Sequence, residues 1–184
     1  IKGTHALIEA TAIVKKTYPD VHLYITGKNR LKDGLKERLK DSGYDKYLRS
    51  LIFKYNLKDN VTFLGSLSEK EMCDRYLKAN VYALPSFIEN SPNSLGEAML
   101  LGVPVVAADV GGVKELLQHK EEGYIYQADA PYMLAGNIMK YFQDDLVAAQ
   151  KGEKARIHAL KTHDRELNYN RLIEIYNEIV HFRT

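Results

Sequence analysis

Apolar residues at Ala6, Leu7, Ala10, Ile13 and Val14 recur at helical spacing and stop short of Pro19, so the pattern predicts a helix over roughly Thr4 to Thr17. Val21 to Gly27 then alternates as a strand that ends in glycine, and Asn60 to Gly65 repeats the same form. Between them, Leu31, Leu35 and Leu39 make one amphipathic stretch and Leu48, Leu51, Ile52 and Tyr55 another, with Gly43 as a break between two helices. Ser68 and Glu71 have the spacing of a capping box and open a helix that ends near Ala79. Val81 to Pro85 and Val103 to Ala108 are short apolar strands on either side of a helix at about Asn93–Leu101 that stops at Gly102, which makes a β-α-β unit. Gly123 to Gln127 reads as a further strand, followed by helices at about Pro131–Gln143, Leu146–Leu160 and Asp164–His181. Repeated strand–helix alternation with glycines at strand ends predicts an α/β fold with a doubly wound parallel sheet. With no internal repeat and no low-complexity linker, residues 1–184 read as a single domain, its C-terminal helices running from about 146 to 184.

Composition narrows the class. At 184 residues and 45% apolar the chain can bury a sizeable core without a disulfide or metal staple. A formal net charge of +2 argues against a general nucleic-acid binder, and no apolar run approaches the roughly 20 residues that span a bilayer. Ten Lys and Arg against four Asp and Glu between Lys28 and Lys58 leave peripheral contact with an anionic membrane or acceptor open, although a solvated helix face accounts for the pattern more simply. A single cysteine, Cys73, reads as a core thiol and fits a reducing, cytoplasmic compartment. Histidines at 5, 22, 119, 158, 163 and 181 lack ligand spacing, so no metal site is expected. Tyrosines at 124, 126, 132, 141, 169 and 176 read as packing residues with a wet hydroxyl. There is no signal peptide and no initiating methionine, so Ile1-Lys2-Gly3 looks like the middle of something longer.

In a doubly wound sheet, ligands sit beyond the carboxyl ends of the strands, where Gly27, Gly65, the stretch Pro85 to Ser94 and the stretch Asp109 to Gly112 all fall. Glu89 and Glu97 bracket the strand-to-helix segment there. Unpaired N–H groups at a helix start suit a phosphate, and flanking carboxylates can accept hydrogen bonds from sugar hydroxyls. Blander readings stand beside this one. Ser94 and Glu97 also fit a capping box, and Ser91-Pro92 could instead open the helix. Gly111-Gly112 reads equally well as a tight turn or as a place where backbone approaches a ligand. Glu115 reads as a carboxylate that compensates a helix dipole. No G-x-G-x-x-G follows any strand, which argues against a dinucleotide dehydrogenase.

Pro85-Ser86, Glu89, Glu97-Ala98-Met99, Gly102-Val103-Pro104-Val105-Val106 and Gly111-Gly112-Val113-Lys114-Glu115 together resemble the nucleotide-binding half of retaining family 4 glycosyltransferases, two-domain enzymes of GT-B fold. The resemblance runs in register from Lys2 to about Asp144. It implies a Rossmann-like C-terminal domain whose first strand precedes Ile1 and whose acceptor-binding N-terminal domain is absent here. It further implies that Glu97 accepts hydrogen bonds from the donor ribose and that Glu89, the catalytic carboxylate, lies against the transferred sugar. The backbone at Asn93, Ser94 and Leu95 would cradle the diphosphate, with Lys2 neutralising the distal phosphate. Gly27, Gly65, Ser86, Asn90, Gly111 and Gly112 would line the donor site. A nucleoside-diphosphate sugar would be the co-substrate, with no cofactor and no metal, and the enzyme would work in the cytoplasm or at the inner face of the membrane.

Many relatives carry a Gly-Phe-Gly-like turn after the first glutamate, where this chain has Asn90-Ser91-Pro92. That departure supports the competing expectation of a non-catalytic nucleotide-binding or oligomerising module on the same fold. Loss of a central first strand would leave two open strand edges, predicting self-association or a distorted sheet at that gap.

Overall fold

A computed structural model describes residues 1–27 and 42–182. In chain order its elements are α1 (Thr4–Lys15), β1 (Leu23–Thr26), α2 (Gly43–Lys54), β2 (Val61–Gly65), α3 (Glu69–Leu77), β3 (Tyr82–Leu84) and α4 (Asn93–Leu100). There follow β4 (Val105–Ala108), α5 (Val113–Leu116), β5 (Tyr124–Tyr126), α6 (Pro131–Gln143), α7 (Asp145–Thr162) and α8 (Arg165–His181). The amphipathic stretch around Leu31, Leu35 and Leu39 lies outside the described residues, as does most of the basic run that begins at Lys28.

Every strand pairing is parallel. β1 pairs with β2, Leu23 opposite Val61, and β4 pairs with both β3 and β5, Val105 opposite Tyr82 and Val106 opposite Tyr124. All four residues of β4 are buried, as expected for a strand covered on both faces. The period of two then sorts its side chains. Val106 and Ala108 pack with Leu7, Ala10 and Val14 of α1 and with Leu134, Ala135 and Ile138 of α6. Val105 and Ala107 pack with Leu95, Ala98 and Met99 of α4 and with Ala155 and Ala159 of α7. Helices on both faces of parallel strands make this a doubly wound α/β domain. The sheet is nevertheless in two pieces, β2-β1 and β3-β4-β5, with no hydrogen-bonded ladder between β1 and β3. The distortion of the sheet expected from the sequence takes the form of this division.

Local chemistry explains the boundaries. Ser68 and Glu71 form the expected reciprocal capping box at α3. Ser42 and Asp45 form another at α2, which makes Gly43 the first residue of that helix. α4 stops at Gly102, whose φ of 70° ends the helix in the left-handed region. α7 crosses α4 closely enough that a Cβ on Gly152 would overlap the Gly102 carbonyl oxygen. α8 obeys the predicted periodicity but has no buried residue, and Leu172, Ile173, Tyr176, Ile179 and Val180 all lie open. Tyr132, Tyr169 and Tyr176 are exposed as well, so the packing role expected of six tyrosines holds only for Tyr124, Tyr126 and Tyr141. The hydroxyl of Tyr126 is buried and finds no hydrogen-bond partner among the described residues. No helix among the described residues is long and apolar enough to cross a membrane.

Candidate functional site

β3 delivers the chain to Pro85 at the carboxyl edge of the sheet, and Ser86 turns inward until it is 1% exposed. The loop that follows meets the start of the chain, where the Phe87 N–H donates to the Ile1 carbonyl at 2.8 Å. That contact sets Lys2 beside Glu89, with Nζ 2.6 Å from Oε1, although 86 residues of sequence separate them. The Glu89 side chain is 12% exposed against 71% for Lys2. Burial by itself would raise the Glu89 carboxyl, but hydrogen bonds from Lys2 and Ser86, and the Lys2 charge, outweigh it and hold the group below its ordinary value. Glu89 is therefore an anion at neutral pH, partnered by a cation that is largely exposed to solvent.

α4 starts immediately beyond. Its N-cap is Pro92, with no side-chain capping bond, so the Ser94–Glu97 capping box is not formed. Leu95 is fully buried and its N–H is already engaged by the Pro92 carbonyl at 3.0 Å. The N–H groups of Asn93 and Ser94 find no acceptor among the described residues, and they carry the positive end of the helix dipole. Of the three residues expected to cradle a diphosphate, two thus offer free donors and the third does not.

Ser94 and Glu97 are held instead by two tyrosines that the sequence did not single out. Tyr76, from α3 and 4% exposed, places its hydroxyl 3.2 Å from both Glu97 Oε2 and the Ser94 carbonyl oxygen. The Tyr82 hydroxyl, from β3, donates to Ser94 Oγ at 2.8 Å, and the two rings meet edge to face. Burial first, then the charges of Tyr82 and Glu97, push the Tyr76 hydroxyl far above its ordinary range. Burial likewise pushes Tyr82 up to about 12, against the Ser94 hydrogen bond and with the charges of Glu89 and Glu97. Both stay protonated and act as donors. Strand periodicity was the available signal, since Tyr82 and Leu84 share the face that packs on α4.

Gly111 and Gly112 are explained by loop packing. Gly111 has φ 49°, and a Cβ there would overlap the Glu89 carbonyl oxygen, while one on Gly112 would stand 2.5 Å from the Asn90 oxygen. The Gly112 N–H donates to that Asn90 oxygen at 2.9 Å. The β4–α5 turn therefore supports the loop that carries Glu89. Beyond it, Lys114 pairs with Asp109 at 2.8 Å. Gly27 and Gly65 form a separate group, the Gly27 N–H donating to the Gly65 oxygen at the ends of β1 and β2, and neither hydrogen bonds to the Lys2–Glu89–α4 cluster. His5, the second residue of α1, stacks on Phe87 at 5.4 Å, a contact that sequence reasoning also missed. Among the described residues no three or more His, Cys, Asp and Glu side chains gather as metal ligands.

The family profile described as "Glycosyl transferases group 1" matches residues 1–158. The chain belongs to that family. Similar relatives of this group 1 domain include the D-inositol 3-phosphate glycosyltransferase of Corynebacterium glutamicum, 27% identical over 97% of this chain and 41% of that protein. The amylovoran biosynthesis glycosyltransferase AmsK of Erwinia amylovora is 26% identical over 97% of this chain and 42% of its own length. Among solved structures, Anabaena HepE in complex with UDP superposes with a TM-score of 0.81 at 27% identity, covering 96% of this chain and 45% of that one. The C-terminal domain of the Francisella tularensis group 1 protein LpcC shares the fold, with a TM-score of 0.71 at 20% identity over 88% of this chain and 79% of that one. The chain thus spans about two-fifths of the length of the curated relatives it matches.

Proposed function

We propose that this domain is the donor-binding half of a retaining glycosyltransferase that moves a sugar from a nucleoside diphosphate to an acceptor. The observation that carries the reading is the start of α4, where two unpaired N–H groups lie in one segment with Glu97 and with the Lys2–Glu89 pair. Helix-terminal N–H groups and an exposed ammonium match the charge that gathers on a diphosphate as it departs, and they do so without metal. Lys2 would exchange Glu89 for the distal phosphate, leaving the Glu89 carboxylate against the transferred sugar. Glu97, exposed at its outer edge, would accept from the ribose hydroxyls. HepE in complex with UDP and with UDP-glucose supports a nucleotide sugar as ligand.

The acceptor pocket belongs, in this reading, to the remaining three-fifths of a protein of the relatives' length. The open apolar face of α8 supports a further domain against this one. We assign the enzyme to the cytoplasm, the compartment that an unpaired Cys73 fits. The test is a calorimetric titration with UDP, GDP and ADP and their glucose conjugates, repeated with Glu97→Gln, and a transfer assay on the complete protein with Glu89→Gln. Micromolar to millimolar binding that E97Q weakens about tenfold or more is expected, since hydrogen bonds to a charged group contribute about 1.5–3 kcal/mol. Absence of binding to every nucleotide would overturn the reading. Binding without transfer by the complete protein would favour the non-catalytic module.

A further inference from the structure

We propose that Tyr76 and Tyr82 are positioning residues for the donor, Tyr76 presetting the Glu97 carboxylate for the ribose and Tyr82 turning the Ser94 hydroxyl toward the diphosphate. This rests on the donor reading above and deepens it: the tyrosines touch the groups that would touch the ligand, not the ligand itself.

The Tyr76 hydroxyl carries one proton and faces two acceptors at 3.2 Å, Glu97 Oε2 and the Ser94 carbonyl oxygen. A glutamate on an exposed helix surface samples several rotamers, and a ligand that uses it must first freeze one. Here a buried phenol on α3 fixes Oε2 from behind, which leaves Oε1 and the outer lone pair of Oε2 for two neighbouring hydroxyls of a ligand. A vicinal diol, as in a ribose, is the group that fits such a carboxylate, whereas a 2′-deoxyribose fills only half of it. Tyr76 also ties Glu97 to the Ser94 backbone, so the carboxylate and the first turn of α4 are set as a unit.

Tyr82 acts on the other end of that unit. A phenol is a stronger acid than an alkanol, so in the 2.8 Å pair the Tyr82 hydroxyl donates and Ser94 Oγ accepts. Ser94 Oγ donates to no acceptor among the described residues. Its own proton is thereby released for a ligand, at the second residue of α4 and beside the free N–H groups of Asn93 and Ser94. An anion at this helix start then meets three donors instead of two.

Tyr76→Phe and Tyr82→Phe remove one oxygen each and keep the ring packing. Binding of UDP, GDP and ADP is measured by calorimetry, and the tightest ligand is then compared with its 2′-deoxy counterpart and with its nucleoside. Y76F is expected to weaken the ribonucleoside diphosphate roughly five- to tenfold and the 2′-deoxy form by less than twofold, so the preference for ribose shrinks. Y82F is expected to weaken the diphosphate roughly three- to tenfold and leave the nucleoside unchanged. A purely structural role would weaken all three ligands alike and lower the melting temperature in step, and that result overturns the proposal. Wild-type affinity in both variants overturns it too, while leaving the donor reading intact. Failure of the unaltered protein to bind any of the three nucleotides overturns both.

Discussion

Replacing Gly111 by alanine tests whether the β4–α5 turn holds the Glu89 loop in place. Two costs arise. The first is backbone strain, since φ is 49° and an L-residue in the left-handed region costs about 1–2 kcal/mol. The second is overlap: the new Cβ would lie on the Glu89 carbonyl oxygen and 2.7 Å from its carbon, so the loop must retreat by roughly 1.5–2 Å to reach van der Waals contact. Such retreat breaks the 2.9 Å bond from Gly112 to Asn90, worth about 1 kcal/mol, and adds packing strain of about 1–3 kcal/mol. The expected loss is roughly 3–6 kcal/mol. Gly102→Ala is the control, because its φ of 70° carries a similar strain while its nearest atoms, Arg156 Cδ at 3.7 Å and the Gly152 oxygen at 3.9 Å, are at ordinary distance. It should lose only about 1–2 kcal/mol. The assay is urea and thermal unfolding of both variants, where the difference of about 2–4 kcal/mol amounts to about 4–16 °C in a domain of this size, followed by nucleotide titration. G111A should also lose nucleotide affinity because the displaced backbone leads directly into the start of α4. Equal melting temperatures in the two variants, with affinity unchanged in G111A, would show that the two loops are not packed as described.

Two buried tyrosines should respond to phenylalanine with opposite signs: Tyr141→Phe loses the 3.1 Å bond to the Val105 carbonyl and about 1 kcal/mol of stability, whereas Tyr126→Phe removes a hydroxyl without a partner and should be neutral or stabilising. Urea denaturation reads both, and destabilisation by Y126F would show that its hydroxyl is in fact bonded. Lys2→Met leaves Glu89 with the burial that raises its carboxyl and only Ser86 to oppose it, so the Glu89 midpoint followed by carboxyl 13C NMR should rise. In the unaltered protein the depressed carboxyl contributes stability above the ordinary carboxylate range that is lost as pH falls through its folded pKa; in K2M that loss should begin at higher pH, and coincident profiles would refute the pairing. Deleting residues 165–184 should leave the urea midpoint unchanged, because α8 buries none of its residues, and a lowered midpoint would reveal contacts that the fold does not show.

Much of the fold was legible because it follows from local pattern. The apolar run of β4, the stop at Gly102 and the capping box at Ser68 each need only a few neighbouring residues to specify them. The site was legible in part. The Lys2–Glu89 contact joins residues far apart in sequence, and only a resemblance to other proteins brought them onto one list. Ser94 and Glu97 have the spacing of a capping box, yet Pro92 takes the N-cap and leaves both side chains to the tyrosines. Neither Tyr76 nor Tyr82 stands in a motif, since what matters is how α3 and β3 pack on α4. The stripe along α8 was equally visible, but periodicity says that a face is apolar and not what lies against it.

The division of the sheet bears on how the domain opens. Because no ladder joins β1 to β3, the two halves are held together by side chains, and α1 supplies a large share of them: Leu7, Ala10 and Val14 face the β3-β4-β5 half while Ile8 faces Leu48, Leu51 and Leu57 beside β1 and β2. Side-chain contacts give way separately where a continuous ladder would yield as one unit, so amide protons of β1 and β2 should exchange through a cheaper, subglobal opening than those of β4. The Lys2 end of α1 belongs to both halves at once. Loosening of the smaller half would thus reach the carboxylate at Glu89 through a helix, without any strand to carry it.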